Sequence, residues 1–175
     1  FIIDEINRGN LSKIFGELFM LIEKDKRGIE LQLLYSDENF SVPANVYIIG
    51  MMNTADRSLA MLDYALRRRF SFFTMKPGFN APGFQAYQDS LKSDDFNKLI
   101  ACVKQLNSKI AEDISLGEGF CIGHSYFCSL TPETANTQTL SSIVEYELIP
   151  LLKEYWFDEP ANVIDWGDRL RSAVK

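Results

Sequence analysis

Chemistry in this 175-residue chain gathers in four short stretches. The first is Phe1-Ile2-Ile3-Asp4-Glu5, an apolar run that ends in two adjacent acids. At the end of a buried strand, two carboxylates can hold the water shell of a Mg2+ ion and polarise an attacking water. Hydrolysis of a nucleoside triphosphate requires both tasks. In a plain turn the same pair would only be solvated. The second stretch centres on Asn53, which follows the apolar run at residues 46–52. An amide there can hydrogen-bond a terminal phosphate or a water, or simply make a turn. The third is Arg67-Arg68-Arg69. Guanidinium groups match phosphate oxygens two at a time, and three in a row suit an anion supplied by a neighbour. They also suit the negative end of a helix. The fourth runs from Gly117 to Phe127 and contains Gly123-His124-Ser125 ahead of Tyr126-Phe127. This segment reads either as a helix N-terminus facing a phosphate or base, or as a loop held by a structural histidine.

The elements that would position these groups follow from periodicity. Residues 1–3 and 46–52 are continuous apolar runs, the pattern of strands buried on both faces. Asn10 is placed to cap a helix whose face is Leu11, Ile14, Phe15, Leu18 and Ile22, with Gly28 as its stop after Lys24-Asp25-Lys26-Arg27. Residues 29–35 and 40–42 flank Ser36-Asp37-Glu38-Asn39 and predict a β-hairpin ended by Pro43. Ser58 is placed to cap a short helix through Leu59, Leu62 and Leu66, and residues 70–75 predict a third strand. Two prolines and two glycines at 76–83 predict a linker. Beyond it the chain reads as helical. Phe96, Leu99, Ile100, Val103, Leu106 and Ile110 make one stripe, and Leu140, Ile143, Val144, Leu148 and Leu151 another; a final helix spans 163–174. Loops are expected at 116–125 and 131–139. The expected class is α/β, a parallel sheet with helices over residues 1–80, joined to an all-helical part over 81–175. Ligands on such sheets bind beyond the carboxyl ends of the strands. Asp4-Glu5 and the segment from Asn53 to Ser58 stand at two such ends.

Composition bounds the rest. At 46% hydrophobic and 24% charged the chain is ordinary globular protein. Residues 1–80 balance ten Lys and Arg against ten Asp and Glu, while residues 81–175 carry eight against fourteen, the whole of the net charge of −6. An acidic half is a poor surface for nucleic acid. Cys102, Cys121 and Cys128 with the lone His124 make no zinc set, and they read as reduced thiols in a cytoplasmic protein. No apolar run reaches the ~20 residues of a membrane span. The start at Phe1 has neither an initiating methionine nor a leader pattern, so the chain reads as a piece whose N-terminal part is absent.

The order of these motifs carries a resemblance. FIIDEINRGNLSKIFGELFMLIEKDKRG is similar to the Walker B strand and following helix of AAA+ nucleotide hydrolases of the McrB family, GTPase subunits of methylcytosine-dependent restriction systems. NVYIIGMMNTADRSLAMLDYALRRRFSF resembles that family's sensor 1 strand, its MNTADRS signature and its arginine-finger helix, and GEGFCIGHSYF resembles a motif of its helical lid. The resemblance implies roles. Asp4 would hold the Mg2+ shell and Glu5 would activate water. Asn53 would be sensor 1. Asp56 and Arg57 would organise hydrolysis and subunit contacts, and Arg68 or Arg69 would act on a neighbouring subunit's nucleotide. Gly123, His124 and Ser125 would lie near the nucleotide. It further implies GTP, or else ATP, as substrate, and a homo-oligomeric ring, expected as a hexamer. A nuclease subunit of the McrC type and DNA, reached through a domain outside this chain, complete the implied partners. The alternatives are an ATPase of the MoxR or dynein-like kind acting as a remodelling chaperone, and a non-catalytic interaction module. The P-loop pattern GxxxxGK[ST] does not occur. These 175 residues alone are therefore expected to bind nucleotide weakly and to be inactive. A sheet without its P-loop strand is expected to dimerise, swap a segment or rearrange.

Overall fold

The computed structural model describes residues 1–53, 55 and 67–175, which form two compact units, 1–74 and 75–175. In the first unit β1 (Ile2–Ile3) is followed by α1 (Leu11–Phe15), β2 (Leu31–Gln32), β3 (Asn39–Phe40) and β4 (Ile49–Gly50). β1 and β4 pair in parallel, Ile2 opposite Ile49 and Ile3 opposite Gly50. The two apolar runs are thus neighbouring strands of one sheet, but not the doubly buried strands that their pattern predicts: each is two residues long, and Ile2 and Ile49 are exposed because no described element covers them. β2 and β3 form the expected hairpin, Leu31 opposite Phe40. Its turn is closed by Leu33 N–H to Glu38 O and Asp37 N–H to Leu33 O.

Two further expectations change here. The helix capped by Asn10 does begin there, Asn10 Oδ1 accepting from Lys13 N–H at 3.0 Å. It does not run on to Ile22. Gly16 takes the left-handed region at φ 48°, where a residue without Cβ is at ease, and a 3-10 helix (Gly16–Ile22) continues. The single apolar face is broken: Ile14 is exposed while Leu21 and Ile22 are buried. The side chain of Leu11 lies outside the described set. Residues 70–75 are not a strand. Among the described residues no strand lies beside them to complete a ladder, and backbone amides without a ladder partner have no reason to stay extended in register. Phe72, Phe73 and Met75 are exposed there. The expected helix from Ser58 to Leu66 lies outside the described residues.

The second unit is helical: α2 (Pro82–Leu91), α3 (Asp94–Glu112), α4 (Thr137–Ile143), α5 (Ile149–Tyr155) and α6 (Pro160–Ala173). Pro82, expected within a linker, instead opens α2, where its missing N–H is no loss. Ser93 caps α3 by accepting from Phe96 N–H, with Asp94 and Asp95 in the first turn, where acids suit the helix dipole. All six residues of the predicted α3 stripe are buried. They meet Phe84, Phe127, Leu140, Leu148, Leu152, Trp156 and Leu170 in one core. Each such side chain contributes roughly 1.5–3 kcal/mol by leaving water.

The second stripe holds to Leu148 and then slips, so that Leu152 is buried rather than Leu151. The cause is a π turn (Val144–Leu148) between α4 and α5, in which Ile149 N–H bonds Val144 O. Pro150 follows directly, without an N–H and with a ring that would crowd the preceding turn of an α-helix; widening that turn by one residue relieves it. Among the described residues no helix is long and apolar enough to cross a membrane.

Candidate functional site

The acids and the amide are set by the parallel pair. Met51 N–H bonds Ile3 O and Ile6 N–H bonds Met51 O, each at 2.9 Å, so the chain beyond β1 stays against the chain beyond β4. Ile6 is buried and anchors the turn. It can lie across β4 because residue 50 is glycine: a Cβ there would stand 2.6 Å from Ile6 Cδ1. Asp4, Glu5 and Asn53 therefore leave the same ends of two hydrogen-bonded strands, and all three are exposed.

Glu5 adopts φ 49°, a left-handed conformation that costs a non-glycine residue of order 1–2 kcal/mol. Its N–H donates to Asp4 Oδ1 at 2.9 Å. Its carboxylate pairs with Arg8, Oε2 to Nε 2.7 Å. Asn53 Oδ1 accepts from Ala55 N–H at 3.0 Å in an Asx turn. No cluster of three or more His, Cys, Asp or Glu side chains among the described residues would cage a metal by itself. An exposed carboxylate such as Asp4 still fits Mg2+, which keeps several waters and takes one or two carboxylates beside substrate phosphates.

The arginines differ from one another. Arg69 is half-buried, with its guanidinium 4.4 Å from the centre of the Phe19 ring and Nη2 against Glu23 Oε1. Arg67 lies over Phe72 at 5.6 Å. Arg68 is exposed and makes no ion pair with a described residue. Asp56 and Arg57 lie outside the described residues.

In the second unit the glycine-rich segment forms two 3-10 turns, Glu118–Phe120 and His124–Phe127. Asn107 of α3 holds the loop between them with both ends of its amide, Nδ2 to Ile122 O at 2.9 Å and Oδ1 from Ile122 N–H at 2.7 Å. Tyr87 of α2 pins the following stretch: its hydroxyl donates toward Phe127 O and Leu130 O and accepts from Leu130 N–H. Burial pushes its phenol pKa up. His124 Nδ1 accepts from Gly78 N–H at 3.0 Å, and its ring stands edge-on to Phe79 and Phe84. Gly123 is extended and Ser125 exposed. Cys121, half-buried with Sγ toward Asn107 O, has its thiol raised by burial.

Two families match along this chain. Residues 1–70 match the AAA domain (dynein-related subfamily), and residues 98–164 match the McrB alpha-helical lid domain. The type IV methyl-directed restriction enzyme EcoKMcrB subunit of Escherichia coli K12 is 52% identical over 97% of this chain. The chain is McrB-like. The type II restriction enzyme BsuMI component YdiS of Bacillus subtilis 168 is 30% identical over 68% of it. The McrB-like chain spans about two fifths of these relatives, 39% of the first and 41% of the second. Its geometry also brings forward residues that the motifs did not single out. Arg8 was legible as a cation three residues after Glu5, and Glu23 as an acid on the helix before the hairpin. Gly78, Tyr87 and Asn107 gave no signal, because a hydrogen-bond partner 15 to 46 residues away leaves no local pattern.

Proposed function

We propose that this McrB-like chain carries the Walker B, sensor 1 and arginine-finger part of an AAA+ nucleoside-triphosphatase working in a restriction system, with residues 81–175 as its lid. The observation that carries this is the exit of Asp4, Glu5 and Asn53 from the ends of two parallel, hydrogen-bonded strands, where α/β proteins hold ligands. Mg2+, when bound, would supply the positive charge that neutralises the phosphates. Asp4 would hold that ion's shell, and Asn53 would orient the terminal phosphate or the water. Glu5 would take the water's proton; to do so its carboxylate must leave Arg8, so the pair of Glu5 and Arg8 is the resting arrangement. Arg68, exposed and free of ion pairs with described residues, is the better candidate for a neighbour's nucleotide. Arg69, held by Phe19 and Glu23, would set its direction. Asp56 and Arg57 would serve the subunit contact, and Gly123, His124 and Ser125 the lid side.

By the resemblance of its motifs to McrB-family hydrolases the substrate would be GTP and the assembly a ring in the cytoplasm, coupled to a McrC-type nuclease on DNA; the E. coli relative adds that such a subunit serves a methyl-directed restriction enzyme. The match of residues 1–70 to the dynein-related subfamily favours a second reading, an ATP-driven remodeller. Turnover of GTP and ATP by the full-length protein beside its Glu5→Gln variant tests both. GTP turnover abolished by the change supports the restriction motor. ATP preference supports the remodeller. Turnover untouched by Glu5→Gln overturns the assignment of the base.

A further inference from the structure

His124 is implied as a nucleotide neighbour, yet its ring is turned to a different task. The first residues of the second unit are strapped to the lid at four successive places. Lys76 Nζ pairs with Glu118 Oε1 at 3.2 Å. Gly78 N–H donates to His124 Nδ1 at 3.0 Å. Phe79 is 3% exposed and packs against Phe84, His124 and Phe127. Asn80 Oδ1 accepts from Lys104 Nζ at 3.0 Å. The middle strap fixes residue type on both sides. A Cβ on residue 78 would stand 3.0 Å from His124 Cε1, 3.2 Å from Nε2 and 3.3 Å from Nδ1. The backbone at Gly78 is not in the left-handed region, so the glycine is there for space and not for its dihedral angles. Because Nδ1 accepts, the imidazole is neutral there and carries its proton on Nε2.

We infer that His124 is a positioning residue, a clasp that makes residues 76–80 part of the lid. Residues 71–75, exposed and without secondary structure, lead into it. Asn107 supports the clasp from below by gripping Ile122, two residues before His124. Where the chain hydrolyses nucleotide, the clasp would set how lid motion reaches the strand-end acids. That consequence rests on the proposed function; the clasp does not.

The test uses the full-length protein with His124 changed to Asn, Gln and Ala. The Oδ1 of Asn occupies the place of Nδ1 and can accept from Gly78, whereas the polar end of Gln replaces Nε2. Hydrogen exchange at residues 76–80 should stay slow in His124→Asn and quicken about tenfold in His124→Gln and His124→Ala, the size expected for loss of one part-buried hydrogen bond. Turnover should follow the same order, with kcat falling about tenfold and KM moving less than twofold, since a positioning group does not bind substrate. Gly78→Ala should quicken exchange in the natural background and do little in His124→Ala, where the added methyl has room. Protection by Gln and not Asn, equal exchange in all three variants, or a rise in KM alone would overturn the clasp. Absence of turnover in the unmodified protein would strike at the proposed function and leave the exchange result to judge the clasp.

Discussion

The two units use apolar residues in opposite ways. The second draws its helices around one continuous core, from Phe79 to Val174. The first, among its described residues, buries only Ile6, Leu21 and Ile22, and leaves Ile2 and Ile49 of its parallel strands exposed, with Phe1 and Met51 beside them. A helix satisfies its backbone within itself and needs only a cover for one face. A strand needs neighbours on its edges as well as covers on its faces. The helical unit therefore closes its own core, while the strand pair, among the described residues, leaves apolar side chains and strand edges open.

That contrast can be broken or sharpened by measurement. Leu106→Ala, deep in α3, should destabilise the lid by about 3–5 kcal/mol, read as a loss of its chemical denaturation midpoint. Ile6→Ala should leave that transition where it is. An equal effect from Ile6 would mean that the units unfold as one. Asn107→Ala removes both bonds to Ile122 and should cost about 2 kcal/mol, and it should also quicken exchange at residues 121–124. Trp156 is buried and donates through Nε1 to Asp113 Oδ2 at 2.8 Å; Trp156→Phe should cost about 1–2 kcal/mol. The same carboxylate, bonded by Ser115 and Trp156, is held at a pKa of about 2 against an ordinary 3.8. A depressed pKa in the folded state stabilises above the unfolded value, so the lid should lose stability as pH falls from about 4 to 2. Asp113→Asn should flatten that loss. Smallest is the exposed pair of Arg171 and Glu145: Glu145→Ala should change stability by less than about 1 kcal/mol, and a larger change would show that α6 depends on it.

The same contrast governs what could be read beforehand. The α3 stripe was legible because six residues at helical spacing had one face to bury; its cap at Ser93 emerged only from the structure. The parallel pairing of β1 with β4 was legible in kind, from two apolar runs ending in polar groups. The break at Gly16 was not, because glycine inside a helical pattern is compatible with either continuation. Nor was the fate of residues 70–75, since strand propensity is only an offer of pairing. At the site, the residue types Asp4, Glu5 and Asn53 announced themselves. The ion pair of Glu5 with Arg8 and the grip of Glu23 on Arg69 depend on rotamers and on chain reversal, which spacing alone leaves undetermined.

The π turn at Val144–Leu148 has a consequence for how this lid can vary between relatives. A helix that already holds one residue more than its rise requires can give that residue up without moving either end. Removing one position there, together with Pro150→Ala, would restore an unbroken α-helix with Leu152 still facing inward. A deletion anywhere else between Thr137 and Tyr155 would instead turn the remaining helix by about 100° and bring polar residues against the core. Length changes within this stretch of the lid are thus expected at one place, the turn that the proline has already loosened.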